Sequence, residues 1–268
     1  MHPVSFQKVT ADSPAFTILL PVRNEEMNLR VILRIIRTVL EYPHEVLVIH
    51  DTLDDKSIPI VHEAQPDYPG LRLVHNQLGA GIINAIRAGV AEARSEIIAV
   101  LCADDTGPVL VLDDMFALMR EGCGFVSCTR YAHGGRRLGG SRLGEILSRT
   151  ANWLFHRIAR SPFTDATTGL KMFRRDVFEN LRLESRPIGW AVAFEMAIKA
   201  QYLGVALGEV PLVSIDRLFG GQSTFQLGPW LGEYLRWFFW GVRQAFVNRS
   251  APRPSIRVRV PIFYQSGQ

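Results

Sequence analysis

Short apolar runs alternate with helix-length amphipathic segments along the first hundred residues, and this alternation limits the fold more than any other feature of the chain. The runs have the length of buried strands, and the segments between them repeat apolar residues at helical spacing. In the first segment Leu29, Leu33, Ile36 and Leu40 recur, and Asn24 stands where a helix cap is expected. A β-α-β-α-β-α-β order predicts an α/β fold with a mainly parallel sheet and helices on both faces. The strands are predicted at residues 17–22, 45–50, 71–74 and 96–101.

The second half is less regular but remains long enough, in a chain of 268 residues with 47% hydrophobic content, to complete one large domain. Helices are predicted at residues 143–158, 192–202 and 230–246, with extended segments at 170–173 and 205–215. The predicted organisation is an N-terminal extension (1–13), one α/β domain (14–227), an aromatic amphipathic helix (228–249) and a loosely packed tail rich in Pro and Arg (250–268).

Positive charge is concentrated in two stretches. Residues 129–160 contain seven Arg against one Glu, and residues 230–268 contain six Arg against one Glu. Such stretches indicate an anionic partner, although a solvated basic face would look the same. No helix-turn-helix, zinc-knuckle or RNP-like pattern accompanies the Arg residues, so nucleic acid is not the expected partner.

The three cysteines, Cys102, Cys123 and Cys128, are odd in number and lack CxxC spacing. They predict neither a disulfide framework nor a zinc site, and they fit a reducing compartment. No signal peptide is evident at the N-terminus, and no uncharged apolar stretch reaches the roughly 18–20 residues that cross a bilayer. We therefore expect a cytoplasmic protein that is soluble or peripheral to the membrane.

Acidic residues follow three of the predicted strands. In parallel sheets ligands bind beyond the carboxyl ends of the strands, and the acids there are Glu25 and Glu26, then Asp51, Asp54 and Asp55, then Asp104 and Asp105. The GxGxxG pattern of a dinucleotide-binding fold is absent after the first strand, which argues against a dehydrogenase. Clustered acids repel each other unless a cation or hydrogen-bond donors neutralise them. A divalent metal, Mg²⁺ or Mn²⁺, held by a carboxylate and by substrate phosphates would do so, although an Asp after a strand is more often a helix cap.

An ordered series of short motifs resembles family 2 glycosyltransferases of GT-A fold, a nucleotide-sugar-binding α/β fold. The resemblance is closest to dolichol-phosphate mannose synthases and bacterial polyprenyl-phosphate transferases, and it covers about residues 14–227. The motifs are Pro21-x-x-Asn24-Glu25, Asp51 with Asp55-x-Ser57, Gly79-x-Gly81, Ala103-Asp104, Thr129-Arg130-Tyr131, Asp165 to Phe173, Glu195, Gly208-Glu209-Val210-Pro211, and Arg217 with Gly221-x-Ser223.

The resemblance implies transfer of a sugar from a nucleoside-diphosphate sugar, GDP-mannose or a UDP-hexose, to a polyprenyl or dolichyl phosphate, with metal dependence and inversion. It implies catalytic roles for Asp104, Arg130 and Asp165, the last beside the transferred sugar. The implied acceptor-phosphate residues are Arg130, Arg142 and Arg149, and the metal ligands are Asp104 and Asp105. The implied nucleotide-sugar site consists of Pro21, Arg23, Glu25, Asp51, Asp55, Gly79, Ala103, Asp104, Arg217 and Ser223.

The chemistry of a phosphate acceptor shapes the expected role of Asp165. Such an acceptor is largely ionised near neutral pH, because its second pKa is about 6, and it can attack without a strong base. Asp165 is therefore expected to position groups or act electrostatically. With a hydroxyl acceptor, which remains an alternative, Asp165 would be the first candidate for the general base.

Two positions depart from the family pattern. Cys102 stands where the family usually has the first Asp of Asp-x-Asp, and thiolate is a poor ligand for Mg²⁺. His50 replaces a frequent Asp in the second acidic block. The Cys102 substitution implies weaker metal dependence, a different cation or lost catalysis, so a catalytically silent nucleotide-sugar-binding subunit is a second alternative.

The helix from residue 230 is the most aromatic part of the chain. Its predicted apolar face consists of Trp230, Leu231, Tyr234, Leu235, Phe238 and Phe239. Trp and Tyr favour the membrane interface, and Arg adds attraction to anionic lipid. We expect peripheral association with the inner face of the membrane. Docking on the protein's own core and burial in a homodimer remain alternatives.

Overall fold

The computed structural model describes residues 14–139, 142–215, 227–250 and 254–262. Its strands are β1 (Phe16–Val22), β2 (His44–His50), β3 (Leu71–His75), β4 (Ile97–Val100), β5 (Phe125–Thr129), β6 (Arg136–Leu138), β7 (Lys171–Arg174), β8 (Leu207–Pro211), β9 (Val213–Ile215) and β10 (Ile256–Val258). Its α-helices are α1 (Glu26–Val39), α2 (Ser57–Ala64), α3 (Ile82–Glu92), α4 (Leu112–Arg120), α5 (Arg142–Ile158), α6 (Arg175–Leu181), α7 (Ala191–Ala200) and α8 (Leu227–Val247). Short 3-10 helices occupy Gln65–Asp67 and Gly107–Val111.

A mixed eight-stranded sheet in the order β10-β8-β5-β7-β4-β1-β2-β3 forms the centre of the molecule. Every neighbouring pair is parallel except the two that involve β7, which runs antiparallel to both β4 and β5. The carboxyl ends of β4, β1, β2, β5 and β8 therefore lie at one edge, and β7 begins there. The predicted α/β class with a mainly parallel, mixed sheet is confirmed.

Both faces of the sheet are covered, which explains why strands such as β1 and β4 are largely apolar along their length. One face packs against α1, α2 and α4, where Leu29, Ile32, Val61 and Met115 are buried. The other face packs against α3, α5, α6, α7 and α8, where Ile86, Phe155, Val177, Ile198 and Trp237 are buried. Residues of both halves of the chain contribute to the buried cluster on each face of the sheet.

The tail after α8 contributes a strand to the sheet. β10 pairs in parallel with β8, and Arg259 forms ion pairs with Asp114 at 2.8 Å and Glu121 at 3.1 Å. The prediction of loose packing is therefore wrong for residues 256–258. Pairing with a strand about fifty residues upstream leaves no local pattern in the sequence from which it could be read.

Asn24 does not cap α1. It adopts a left-handed backbone conformation with φ of 56°, and its Oδ1 accepts a hydrogen bond from the backbone N–H of Lys56 at 3.1 Å. The cap position belongs to Glu25, whose side chain makes no capping hydrogen bond. The predicted cap is wrong because Asn24 instead joins the loop after β1 to the loop after β2.

Helix α8 packs on the core with one side of its aromatic surface. Trp237 is fully buried, the rings of Phe238 and Phe155 lie 5.6 Å apart, and the rings of Tyr234 and Phe194 lie 6.0 Å apart. Leu231, Leu235 and Phe239 face outward. The single predicted apolar face is therefore divided between the core and the surface. None of the helices in the described ranges combines the length and apolar content that a membrane span requires.

Candidate active site

The loops after β1 and β2 are locked together by Asp55. Its carboxylate, almost fully buried, accepts hydrogen bonds from the backbone N–H groups of Asn24 at 3.1 Å and Ser57 at 2.8 Å. The Ser57 hydroxyl in turn accepts one from the N–H of Glu25 at 3.0 Å. Asp55 thus fixes the loop that carries Arg23 and Glu25, and in this structure its carboxylate accepts hydrogen bonds from backbone N–H groups.

Asp51 lies directly after β2 and organises the glycine-containing loop before α3. One carboxylate oxygen accepts from Asn76 Nδ2 at 2.7 Å, and the other from the backbone N–H of Gly81 at 3.0 Å. Asn76 also donates to the carbonyl of Gly79 at 2.8 Å, and both glycines have positive φ. A side chain at Gly81 would be strained and would lie 2.6 Å from Pro187 Cβ.

The remaining predicted nucleotide-site residues border the same edge. Pro21 is buried within β1, opposite Ile49 in the register, while Arg23 in the following loop is exposed. Glu25 is half-buried and accepts from Asn28 Nδ2 at 2.8 Å. The structure therefore brings the predicted residues of β1 and β2 together. Arg217 and Ser223 lie outside the described residues.

The predicted metal residues follow β4 and have different surroundings. Asp105 accepts hydrogen bonds from the Ser214 hydroxyl at 2.5 Å and from the N–H groups of Ile215 at 2.9 Å and Gly107 at 3.2 Å. Its carboxylate thereby attaches β9 to the turn after β4. Asp104 is half-buried beside it, and Ala103 is buried.

Cys102 packs at the start of this turn. A Cβ atom added to Gly169 would lie 2.8 Å from Cys102 Sγ and 3.2 Å from the Trp190 ring, so the thiol and the ring both lie against the Gly169 backbone. Among the described residues, no group of three or more His, Cys, Asp or Glu side chains is arranged to hold a metal ion. Mg²⁺ can be held by one or two carboxylates when substrate phosphates complete its shell. A metal at this edge would take Asp104 as its protein ligand and would need a substrate diphosphate to complete its shell.

Arg130 and Asp165 form a buried two-point ion pair at the same edge. Arg130 follows β5, and its Nε and Nη2 donate to Asp165 Oδ2 at 2.7 Å and Oδ1 at 3.0 Å. Burial alone would raise the pKa of Asp165, but the charge and hydrogen bonds of Arg130 hold it below its usual value. Burial alone would lower the pKa of Arg130, and Asp165 instead raises it. Both groups are therefore charged at neutral pH.

The turn that carries Asp165 is held by a buried polar cradle of Glu209, Lys171 and Asn152. Glu209 accepts from the N–H and hydroxyl of Thr164, both at 2.8 Å. Lys171 donates to the Ala166 carbonyl at 3.3 Å and to the Ser127 hydroxyl at 2.7 Å.

Asn152 of α5 accepts from the N–H of Ala166 at 2.9 Å and donates to the Thr167 hydroxyl at 2.8 Å. Three elements, β8, β7 and α5, thus meet at this one turn. Burial raises the pKa of Glu209 to about 7 and lowers that of Lys171 to about 8.

Helix α5 borders the Arg130 side of the site. The Tyr131 hydroxyl donates to the Ser148 hydroxyl at 2.9 Å, and Arg130 Nη2 lies 3.5 Å from that same oxygen. Arg149 is the next residue on α5 and is exposed. Arg142 is the first residue of α5, and its side chain lies outside what the structure describes.

The cradle was missed in the sequence, although a signal for it exists. Lys171 and Glu209 each interrupt an otherwise apolar buried strand, and a charge at such a position is rarely buried without a partner. The pairing of Arg130 with Asp165 was also missed, since both were assigned to substrate. Their separation of 35 positions along the chain hides that contact from any local pattern.

The sequence model of the family "Glycosyl transferase family 2" matches residues 17–182, more than half of the chain. The chain belongs to glycosyl transferase family 2. The predicted family and its glycosyltransferase class are confirmed. The match ends before α7, β8 and α8, so Glu209 and the aromatic helix lie beyond it.

Curated relatives of this family 2 chain include a dolichol-phosphate mannosyltransferase of Pyrococcus furiosus, 26% identical over 82% of this chain and 61% of that protein. The glycosyltransferase AglD of Haloferax volcanii is 24% identical over 76% of this chain and 33% of that protein. The chain thus spans less than two thirds of the length of these relatives.

Solved structures of similar fold include glucosyl-3-phosphoglycerate synthase of Mycobacterium tuberculosis with Mn²⁺, UDP and glucosyl-3-phosphoglycerate. Its TM-score is 0.66 at 16% identity, with 86% of this chain and 80% of that chain covered. The mannosyltransferase PcManGT of Pyrobaculum calidifontis with GDP-Man and Mn²⁺ has a TM-score of 0.54 at 18% identity, covering 90% and 76%. These likenesses confirm the GT-A fold.

Glu209→Gln tests the cradle through the pH dependence of stability. Because the folded-state pKa of about 7 lies above the ordinary value of 4.5, the native protein binds an extra proton between these pH values. The contribution of Glu209 to the free energy of unfolding therefore decreases as pH rises from 5 to 7, by ~3 kcal/mol at most. The difference in melting temperature, unaltered protein minus Glu209→Gln, should fall over that range in thermal melts. Glu92→Gln, at an exposed position, is the control, and a pH-independent difference for Glu209→Gln would contradict the assignment.

Proposed function

We propose that this protein transfers a sugar from a nucleoside-diphosphate sugar to a polyprenyl phosphate at a membrane surface. The observation that carries the proposal is the position of the Arg130–Asp165 pair, at the same sheet edge as Asp51 and Asp104. Carboxylates suited to a nucleotide and its metal thus follow strands that end at the same sheet edge as the strand before Arg130, which is suited to a second phosphate. Family membership and the dolichol-phosphate mannosyltransferase relative support the same assignment.

For the donor, we assign the nucleoside to the loops after β1 and β2. Pro21, Arg23, Glu25 and Asp51 would line its pocket, while Asp55 and Gly79 shape the backbone behind it. Arg217 and Ser223 would close over the sugar, as the family resemblance implies. GDP-mannose and UDP-hexoses are both candidate donors.

For the metal, we assign Mg²⁺ or Mn²⁺ to Asp104 and the donor diphosphate. A divalent cation there would neutralise the charge that grows on the leaving nucleoside diphosphate. Asp105, committed to β9, would position Asp104 by fixing the backbone of the turn. Ala103 would bring that backbone close to the diphosphate.

For the acceptor, we assign the phosphate to Arg130, Arg149 and Arg142. The planar guanidinium matches phosphate oxygens in a two-point arrangement, and Arg130 already presents such a fork to Asp165. The ionised acceptor oxygen would attack the anomeric carbon directly, with inversion. Asp165, kept charged by Arg130, would position Arg130 and the sugar without taking a proton.

The first experiment is a thermal-shift panel of nucleoside diphosphates and their sugars, with and without Mg²⁺ or Mn²⁺. A ligand that binds only the folded state raises the melting temperature, so a metal-dependent shift identifies the donor base.

Asp104→Asn should lose the metal-dependent part of the shift and lower turnover by at least about 100-fold. Unchanged shifts in Asp104→Asn would refute the metal assignment. A protein that binds a nucleotide sugar but transfers sugar to no acceptor would favour the silent-subunit alternative, and one that responds to no nucleotide would overturn the proposed donor site.

Arg149→Ala tests the acceptor site without disturbing the buried ion pair. Losing one charge-assisted contact to phosphate should raise the acceptor Michaelis constant about tenfold, because such contacts contribute roughly 1.5–3 kcal/mol. The donor constant and the melting temperature should change little. Arg94→Ala, an exposed arginine just before β4 at the opposite sheet edge, is the matched control. Equal acceptor constants in the two variants would remove Arg149 from the site, and product made only on a hydroxyl acceptor would overturn the lipid-phosphate proposal.

Membrane association is supported by neighbouring apolar stripes on α5 and α8. The stripe on α8 contains Leu231, Leu235 and Phe239, the last 65% exposed, and that on α5 contains Ile146 and Trp153, 62% and 58% exposed. Exposed arginines accompany both, and Arg157 stacks over Trp153 at 5.8 Å. Apolar and basic side chains in this combination fit an anionic lipid surface, which would be the inner face of the membrane.

The paired change Leu235→Ser and Phe239→Ser should weaken binding to phosphatidylglycerol vesicles by at least about tenfold, since each buried side chain contributes roughly 1.5–3 kcal/mol. Co-sedimentation measures the bound fraction. Val39→Ser, at the end of α1, is the control because it removes an exposed apolar residue elsewhere. Unchanged vesicle binding would refute the assignment, and loss of a dimer in size-exclusion chromatography would reassign the stripe to a homodimer interface.

A further inference from the structure

Helix α8 reaches the site by direct packing on the loop that precedes α7. A Cβ atom added to Gly189, whose φ is +56°, would lie 2.4 Å from the Trp230 ring, so this ring lies on the Gly189 backbone. Glu233, nearly fully buried, accepts a hydrogen bond from the N–H of Arg186 at 3.1 Å. The first turns of α8 are therefore fixed to residues 186–189.

The same loop continues to the turn after β4. Trp190 follows Gly189 and lies beside Gly169, where an added Cβ atom would be 3.2 Å from the Trp190 ring and 2.8 Å from Cys102 Sγ. A continuous line of contacts thus runs from Trp230 to Cys102, two residues before Asp104. The position of α8 relative to the site is set by packing at each step.

Tyr234 is the residue of α8 that faces this cluster. Its ring stacks on Phe194 at 6.0 Å, and Arg130, Cys102 and Asp165 lie close enough for their charges to act on its phenol. Among the described residues, no side chain or backbone group forms a hydrogen bond with the Tyr234 hydroxyl. Burial raises the pKa of Tyr234 well above its ordinary value, so the group is a neutral donor across the physiological range.

The Tyr234 side chain is half-buried, so its hydroxyl is not enclosed in the apolar core and a ligand can reach it. A Tyr side chain combines an apolar ring with a polar tip, and the tip commonly lies at a polar or wet boundary. The neighbouring Tyr131 donates its hydrogen bond to Ser148. Tyr234 and Arg130 lie close enough to interact electrostatically, and Nε and Nη2 of Arg130 are used by Asp165.

We infer that Tyr234 is an acceptor-binding residue, which donates a hydrogen bond to the anionic phosphate of the acceptor beside Arg130. The inference rests on the proposed function and adds to it a residue outside the family-matched range of 17–182. Helix α8 would then have two functions. Tyr234 would bind the acceptor phosphate, and Leu235 and Phe239 belong to the exposed apolar stripe. A lipid acceptor held by that stripe would present its phosphate to Tyr234.

Tyr234→Phe removes only the hydroxyl and keeps the ring on Phe194. With farnesyl phosphate as acceptor, and the nucleotide sugar that the thermal-shift panel identifies as donor, kcat/KM for the acceptor should fall about 10- to 100-fold. That range corresponds to one hydrogen bond to a charged group. The donor KM, the nucleotide-induced thermal shift and the melting temperature of the free protein should remain those of the unaltered protein.

Tyr202→Phe is the matched control, because Tyr202 lies past α7 with its ring against Trp240 and away from the site. It should leave acceptor kinetics unchanged. Acceptor kcat/KM equal to that of the unaltered protein in Tyr234→Phe would overturn the inference. So would a parallel loss of donor affinity and melting temperature, because this would show a structural role only.

The two proposals fail in different ways. If the unaltered protein transfers sugar to no lipid phosphate, the proposed function is wrong, whatever Tyr234→Phe does. If it transfers sugar and Tyr234→Phe is equally active, the proposed function stands and only the role of Tyr234 is lost.

Discussion

The buried ion pair between Arg130 and Asp165 is the interaction on which the site depends. Two charges taken out of water are stable only when their geometry is good and their remaining polar groups are satisfied. Asp165 meets the first condition through the fork of Arg130, and the surrounding turn meets the second through Glu209, Lys171 and Asn152. Strands β5, β7 and β8 must therefore be adjacent for the site to exist. The strand order β8-β5-β7 is therefore required to bring Arg130, Asp165 and the residues that support them together.

The first half of the fold could be predicted because its information is local. Apolar runs and helical spacing within about a hundred residues specify β1 to β4, and parallel pairing follows from the helices between them. Several elements of the second half, such as α5, α7 and α8, could also be located, but the strand pairing there could not be predicted, because β7 and β10 acquire their partners across distances that leave no periodic signal. The sequence alone identified which acidic residues follow the strands. Their hydrogen-bond partners, such as Ile215 for Asp105, lie up to 110 positions away and could not be predicted from motif spacing.

In helix α8, the periodicity of apolar residues predicts the helix but not which part of its surface is buried. The spacing of its aromatic residues correctly indicates a helix with an apolar surface, but that surface is wide enough to serve two neighbours. Trp237 and Phe238 turn to the core, while Leu235 and Phe239 turn outward. Which part is buried depends on local packing, such as that of Gly241 in α8, where an added Cβ atom would lie 2.6 Å from the Phe155 ring of α5. A wide apolar surface on a helix thus indicates two contact surfaces, one on the core and one facing outward.

The antiparallel strand β7, which separates β4 from β5, constrains how the chain assembles during synthesis. The first four strands can pair in the order in which they emerge, but β5 has no neighbour in the sheet until residues 171–174, more than forty positions later, have been made. Until then the outer edge of β4 carries unpaired backbone groups, and such an edge invites pairing with other chains. The nascent protein therefore passes through a stage in which the sheet of β1 to β4 is formed but its β4 edge is free to pair with other chains.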